Sequence, residues 1–186
     1  MSSSSEQAEA EPATRELTVR WQDPLASAGQ LAGLSGLEAM QKIVAGDIPR
    51  PPISALLDFG VIEVEHGRAV FFADPGEQHY NPIGVVHGGL AATLLDSAMG
   101  CAVHTTLEAG VAYTTLELKV NLVRAIRAET GRIVADGRVI HRGGKVATVE
   151  GKLTSAANGK LLAHGTSTCL VIDNRDAAPA SNGELA

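Results

Sequence analysis

A solitary carboxylate inside an otherwise apolar helix is the feature that most constrains this chain. Asp96 stands among Leu90, Ala91, Leu94, Leu95, Ala98, Met99, Ala102 and Val103, and no other Asp, Glu, Lys or Arg lies between Glu77 and Glu108. A helix apolar on most faces belongs in a protein interior. A carboxylate there costs free energy unless it is paired or put to use. Ahead of the helix runs Asn81-Pro82-Ile83-Gly84-Val85-Val86-His87-Gly88-Gly89. Gly88 and Gly89 let the backbone come close to a ligand. The first-turn N–H groups that follow have no intrahelical acceptor and attract a negative oxygen. The helix predicted over 88–107 thus offers an oxyanion-binding start and a carboxylate about two turns further in.

Such a pairing suits attack of water on an acyl group. Asp96 is the candidate base or nucleophile, unless it is tied to helix or sheet donors at a subunit interface. The Gly88 N–H, helped by the helix dipole, is the candidate oxyanion donor; otherwise Gly88 only permits close packing. Asn81 precedes Pro82, which favours extended backbone. Its amide either holds a carbonyl or water, or caps its own turn. His87 either hydrogen-bonds a departing group or fixes the loop. The remaining histidines, His66, His79, His104, His141 and His164, have no metal-ligand spacing. Ala91, Ala92, Ala98 and Ala102 suggest room beside the helix.

The helix sits within a chain of antiparallel strands. Val61–Val64 and Ala69–Ala73, across His66-Gly67, form one predicted hairpin. Leu116, Leu118, Val120 and Leu122 alternate with Glu117, Lys119 and Asn121, which predicts a half-buried strand. Segments 131–141 and 145–154 meet at Arg142-Gly143-Gly144, and Asn158-Gly159 turns the chain into a last strand, 160–172. Upstream, the apolar spacing from Leu37 onward predicts a helix that Gly46 ends, and Pro49, Pro51 and Pro52 prevent it from resuming. A short helical turn is expected at Ser54–Leu57. One apolar helix and several antiparallel strands give an α+β layer fold with the sheet wrapped on the helix. Organisation follows: a polar tail over 1–14, a helical extension over 15–55, the main domain over 56–172 and a second polar tail over 173–186.

Composition narrows the classes. Hydrophobic residues make up 45% of the chain but aromatics only 3%, so the core is built of Ala, Val, Leu and Ile. A net charge of −6 and a pI near 5.5 argue against a nucleic-acid partner. Cys101 and Cys169 lie in apolar context and are expected as buried thiols. No apolar run spans a membrane, and the acidic start lacks a signal-peptide pattern, so a cytoplasmic location is the default.

These residues resemble the hotdog-fold acyl-CoA thioesterases, specifically the phenylacetate-degradation (PaaI-like) and human thioesterase-superfamily type. That group carries Asn-Pro-x-Gly-x-x-His-Gly-Gly with an Asp nine residues after the His, the spacing of His87 and Asp96. Thr114–Arg124, Arg142–Glu150 and Gly159–Thr166 match further segments, and the resemblance runs from about Leu56 to Ile172. Ala125 stands where the group often has Pro. The resemblance implies hydrolysis of an acyl-CoA to free acid and CoA, with no cofactor beyond the CoA of the substrate. It implies that Thr115, rather than its neighbour Thr114, orients the water with Asp96. It implies a homo-oligomer, a dimer or a dimer of dimers, in which Asn81, His87 and Gly88 of one protomer meet Asp96 and Thr115 of another. Arg124, Arg142 and Lys145 become candidates for the CoA phosphates, or else a solvated cationic edge. Two alternatives differ in class. A hotdog acyl-CoA hydratase or dehydratase would use the His and the carboxylate as a proton-transfer pair, but the motif lacks a second carboxylate. A non-catalytic acyl-CoA sensor would need an output module, for which Pro24–Ala45 is too short and too poor in cations.

Overall fold

The computed structural model describes residues 13–173. The tails expected over 1–14 and 173–186 fall outside it, apart from residues 13, 14 and 173. Asp173 closes the last strand.

The long helix forms where the apolar pattern predicts it. Three helices precede the strands: α1 (Pro24–Leu31), α2 (Gly36–Ala45) and α3 (Pro52–Leu56). Strands β1 (Phe59–Glu65) and β2 (Arg68–Ala73) lead to the central helix α4 (Gly88–His104). Then follow β3 (Val111–Leu122), β4 (Ile133–Arg142), β5 (Val146–Ser155) and β6 (Leu161–Asp173). The six strands form one antiparallel sheet in the order β1-β2-β4-β5-β6-β3. Helix α4 lies across its inner face. Leu94, Leu95, Ala98, Met99, Ala102 and Val103 are fully buried there against Ile133, Ala135, Val149 and Leu153.

A row of glycines seats the helix. Gly137 of β4 pairs with Gly151 of β5, which pairs with Gly165 of β6. A Cβ at Gly137 would lie 2.4 Å from the Ala98 carbonyl oxygen, and one at Gly151 would lie 3.0 Å from Met99 Cγ. Side chains are absent where α4 comes closest, so its backbone rests almost directly on the sheet. The room suggested by Ala91, Ala98 and Ala102 is taken up by this packing, since all three are fully buried.

The extension is anchored by the same device. Ser35 caps α2 through a reciprocal pair of hydrogen bonds with Glu38, and Gly46 ends it in the left-handed region at φ 84°. The Gly36 N–H donates to the Leu107 carbonyl at 2.9 Å, and a Cβ on Gly36 would collide with the His104 carbonyl oxygen. Helix α2 is thereby fastened to the end of α4. Helix α1, begun by Asp23 and Pro24, buries no residue. It has no apolar period from which it could be predicted.

Strand β3 differs most from expectation. It is an edge strand, paired only with β6, and Leu116 and Leu122 remain 58% and 60% exposed rather than half-buried. A bulge between Thr115 and Glu117 leaves Leu116 as an extra residue. Before it, Tyr113 and Thr115 turn toward α4. After it, Val120 and Leu122 do so, Val120 against the core and Leu122 against Gly88.

Candidate active site

The candidate residues gather around two points on α4. At its start, the chain from Tyr80 to His87 forms a loop closed by its own hydrogen bonds. The Asn81 side-chain oxygen accepts from Ile83 N at 3.1 Å and Val85 N at 3.3 Å. This is the turn-capping use of asparagine, and it leaves the Asn81 NH₂ group as the part able to donate to a ligand. His87 is the N-cap of α4, with Nδ1 accepting the Gly89 N–H at 2.9 Å. Its backbone N–H donates to the His79 carbonyl at 2.7 Å. His87 therefore fixes the loop, and its exposed edge still faces solvent.

These bonds leave the Gly88 N–H, at the positive end of the helix dipole, as a first-turn donor without a hydrogen bond among the described residues. Gly88 and Asn81 share a solvent-open pocket of about 230 Å³ with Leu122 and Arg124. The Arg124 guanidinium donates to the Leu161 carbonyl, which holds it at the pocket wall.

Further along the helix lies the carboxylate. Asp96 occupies the half-buried outer side of α4 rather than the core side. The Thr115 hydroxyl donates to Asp96 Oδ1 at 3.1 Å. Thr114, one position away, is exposed and turned outward. Asp96 has no ion pair among the described residues. A carboxylate kept for structure would be expected to have one, or several donors.

Three neighbours of Asp96 were not read as part of the site: Tyr113, and the two cysteines expected only as buried thiols, of which Cys169 is buried and Cys101 half-buried, both free. Burial pushes the Cys101 thiol up to about 12, a hydrogen bond to Tyr113 pulls it down, and the Asp96 charge raises it further. Burial likewise holds the Tyr113 hydroxyl well above its ordinary value, helped by Cys101, Cys169 and Asp96. The Cys169 thiol is raised by burial and by Asp96, against hydrogen bonds from Ser167 and Thr115. All three stay protonated at neutral pH, so Asp96 sits among uncharged donors. Tyr113 lies two residues before Thr115 on the same strand face, and that spacing is the one signal that pointed to it.

The two points are separate within one chain. Eight residues of helix, roughly 12 Å at 1.5 Å per residue, lie between Gly88 and Asp96, and Asp96 and Thr115 do not line the Gly88 pocket. Arg142 and Lys145 are at the β4–β5 turn, where Val146 pairs with Leu170 and Leu170 with Thr114. Arg124 is beyond the far end of β3. Its N–H bonds the Leu162 carbonyl, whereas Thr114 pairs with Leu170, eight residues or about 26 Å along β6, so the three cations do not form one patch.

Comparison with known proteins gives one answer. The sequence profile of the thioesterase superfamily matches residues 83–161, from the loop before α4 to the start of β6. Acyl-coenzyme A thioesterase 13 of Homo sapiens is 32% identical over 109 residues, 58% of this chain and 76% of that protein. A phenylacetic acid degradation-related protein from Ralstonia eutropha JMP134 superposes with a TM-score of 0.64 at 29% identity, covering 70% of this chain and 98% of the other. The E. coli PaaI protein of the phenylacetic acid degradation operon shares the fold at a TM-score of 0.62 and 20% identity, with 79% and 94% covered.

Proposed function

The chain belongs to the thioesterase superfamily and is a thioester hydrolase; within that activity we propose that its substrate is an acyl-CoA and that Asp96 drives the attack on the carbonyl. The observation that carries the assignment is the 3.1 Å hydrogen bond from Thr115 to Asp96 Oδ1 on a carboxylate with no ion pair among the described residues. Asp96 acts as general base or nucleophile, and Thr115 fixes its orientation. In the general-base course, water adds to the thioester carbonyl as its proton passes to Asp96. The C–S bond then breaks and the proton goes to the departing thiolate, giving a carboxylic acid and a free thiol. The Gly88 N–H holds the oxyanion formed between these steps, and the Asn81 NH₂ group holds the carbonyl.

Because the two points lie about 12 Å apart, one protomer supplies Asn81, His87 and Gly88 and a second supplies Asp96 and Thr115. The open edge of β3, with Leu116, Leu118 and Leu122 exposed, supports such pairing. Arg124, lining the Gly88 pocket, is the cation best placed to meet a CoA phosphate. Among the described residues no helix is long and apolar enough to cross a membrane.

The test is turnover of acyl-CoAs followed by thiol release. Asp96→Asn is expected to keep the fold and lower kcat by roughly 10²-fold or more, the scale of losing a general base. KM should change less. Thr115→Val should lower kcat by a smaller factor, about 10-fold, because it removes one hydrogen bond to a charged group. An Asp96→Asn enzyme with wild-type kcat would make the carboxylate structural and overturn the mechanism.

A further inference from the structure

The loop that carries Asn81 and leads to Gly88 is tied within itself but little packed at its tip. The Asn81 N–H donates to the Val85 carbonyl at 2.8 Å and the Gly84 N–H to the Asn81 carbonyl at 3.1 Å. The bond from the His87 N–H to the His79 carbonyl closes its neck. Pro82, Ile83 and Gly84 at the tip are exposed, Ile83 by 81%. Burial therefore does nothing to fix the tip, and the loop is free to tilt as a unit unless something outside takes hold of it. A tilt would move the Asn81 NH₂ group relative to the Gly88 N–H.

Among the described residues, the segment after β3 takes hold of this loop at three points. The Val86 N–H donates to the Ile126 carbonyl at 2.9 Å. At the tip, the Arg127 guanidinium donates to the Gly84 carbonyl at 3.1 Å. At the base, the Ala128 N–H donates to the Tyr80 hydroxyl at 3.0 Å. The holding segment is itself fixed. Ile126 is buried in the core. The Arg127 N–H donates to Thr130 Oγ1 and the Thr130 N–H to the Arg127 carbonyl, both at 3.0 Å. Two of the three tethers depend on side chains, those of Tyr80 and Arg127. Neither residue lines the Gly88 pocket, whereas Ala125 and Ile126 do.

We propose that Tyr80 and Arg127 are positioning residues for thioester cleavage: by clamping the base and the tip of the loop they hold the Asn81 NH₂ group and the Gly88 N–H on one carbonyl oxygen. This rests on the roles of Asn81, Gly88 and Asp96 given above. The clamp adds no chemistry of its own and removes the freedom to misalign. A misplacement of 1 Å costs about 10²-fold in rate, so loss of one tether of three is expected to cost about 10-fold. The loss falls on kcat rather than KM, because the alignment matters for the developing oxyanion more than for holding the substrate.

Steady-state kinetics of the full chain on phenylacetyl-, butyryl- and octanoyl-CoA, with the fastest of the three carried forward, test the clamp in Tyr80→Phe, Arg127→Met and Arg127→Lys. Tyr80→Phe keeps the ring that packs against the core and removes only the acceptor oxygen. Arg127→Met shortens an exposed side chain little and removes the donor. Each should lower kcat by about 10-fold and leave KM within about twofold. Each should also melt within ~4 °C of wild type. Arg127→Lys still offers an N–H to the Gly84 carbonyl and should recover kcat to within about threefold of wild type. If Tyr80→Phe does not fold, the two variants at exposed position 127 decide. Wild-type kcat in both Tyr80→Phe and Arg127→Met would overturn the clamp. So would a rise in KM at constant kcat, which marks a substrate contact, or a kcat as low in Arg127→Lys as in Arg127→Met. A kcat that falls only together with a large drop in Tm would overturn it as well. A wild type that cleaves no acyl-CoA, or an Asp96→Asn enzyme that remains active, would instead overturn the functional reading beneath it. Failure of the clamp alone leaves wild-type turnover and its dependence on Asp96 intact.

Discussion

Adding one methyl group at Gly137 should unseat α4. The new Cβ would lie 2.4 Å from the Ala98 carbonyl oxygen, 2.5 Å from its carbon and 2.7 Å from Met99 N. All three are main-chain atoms in mid-helix, so no rotamer change relieves the contact. Overpacking of this kind costs about 1–3 kcal/mol, and the absence of any side-chain escape places Gly137→Ala at the upper end. Replacing Gly by Ala in a strand returns roughly 0.5–1 kcal/mol of backbone entropy. The net loss is about 2 kcal/mol, or ~4–8 °C in Tm for a domain of this size. Gly151→Ala is the control. Its Cβ would meet Met99 Cγ at 3.0 Å and Leu95 Cδ2 at 3.1 Å, both on side chains that can move a few tenths of an ångström. There the two effects nearly cancel, within about 1 kcal/mol. Thermal melts of both variants beside the wild type decide the matter. A Gly137→Ala protein as stable as wild type, or a Gly151→Ala protein destabilised as much as Gly137→Ala, would show that the backbone contact does not seat the helix.

Two further outcomes are expected. Burial holds His104 below the ordinary imidazole value of 6.5. Above that pH the ring is neutral in both folded and unfolded chains; as pH falls through it the unfolded chain takes up the proton first, so stability declines. The drop in Tm between pH 7.5 and 5.5 should therefore be smaller in His104→Phe than in wild type, and equal drops would refute the assignment. Asn81→Ala and Asp96→Asn oligomers should each be nearly inactive, whereas co-refolding the two should restore activity, because one site in each mixed pair carries neither change. Verified mixed oligomers as inactive as their parents would show that the site is not shared.

Legibility in the sequence followed periodicity and punctuation. The apolar run around Asp96 gave α4, Gly46 gave the end of α2, and Asn158-Gly159 gave the turn into β6. The pairing of Asp96 with Thr115 was legible only through the resemblance, because threonine in a strand carries no signal of its own. The side of α4 that carries Asp96 was not legible. An apolar helix reads as buried all round, yet the sheet covers only one face and Asp96 lies on the other. Cys101 and Tyr113 were missed because their meeting depends on where β3 crosses α4. The same holds for the exposure of Leu116 and Leu122. Alternation tells which side chains point the same way, but an edge strand has a neighbour on one side alone. The clamp on the Asn81 loop was invisible for a related reason, since Tyr80 meets Ala128 only in the folded chain.

The bulge in β3 has a consequence for how this sequence tolerates change. A strand with an unbroken two-residue period would turn either Tyr113 and Thr115 or Val120 and Leu122 toward α4, but not both pairs. The extra residue at Leu116 allows the hydroxyl beside Asp96 and the leucine against Gly88 to share one face. The side chain at position 116 is itself exposed within the single chain and takes no part in either contact with α4. What cannot vary is the count of residues there. Loss or gain of one residue would exchange Thr115 for a neighbour or turn Leu122 away from Gly88. For the contacts with α4, the length of this edge matters as much as the residues on it.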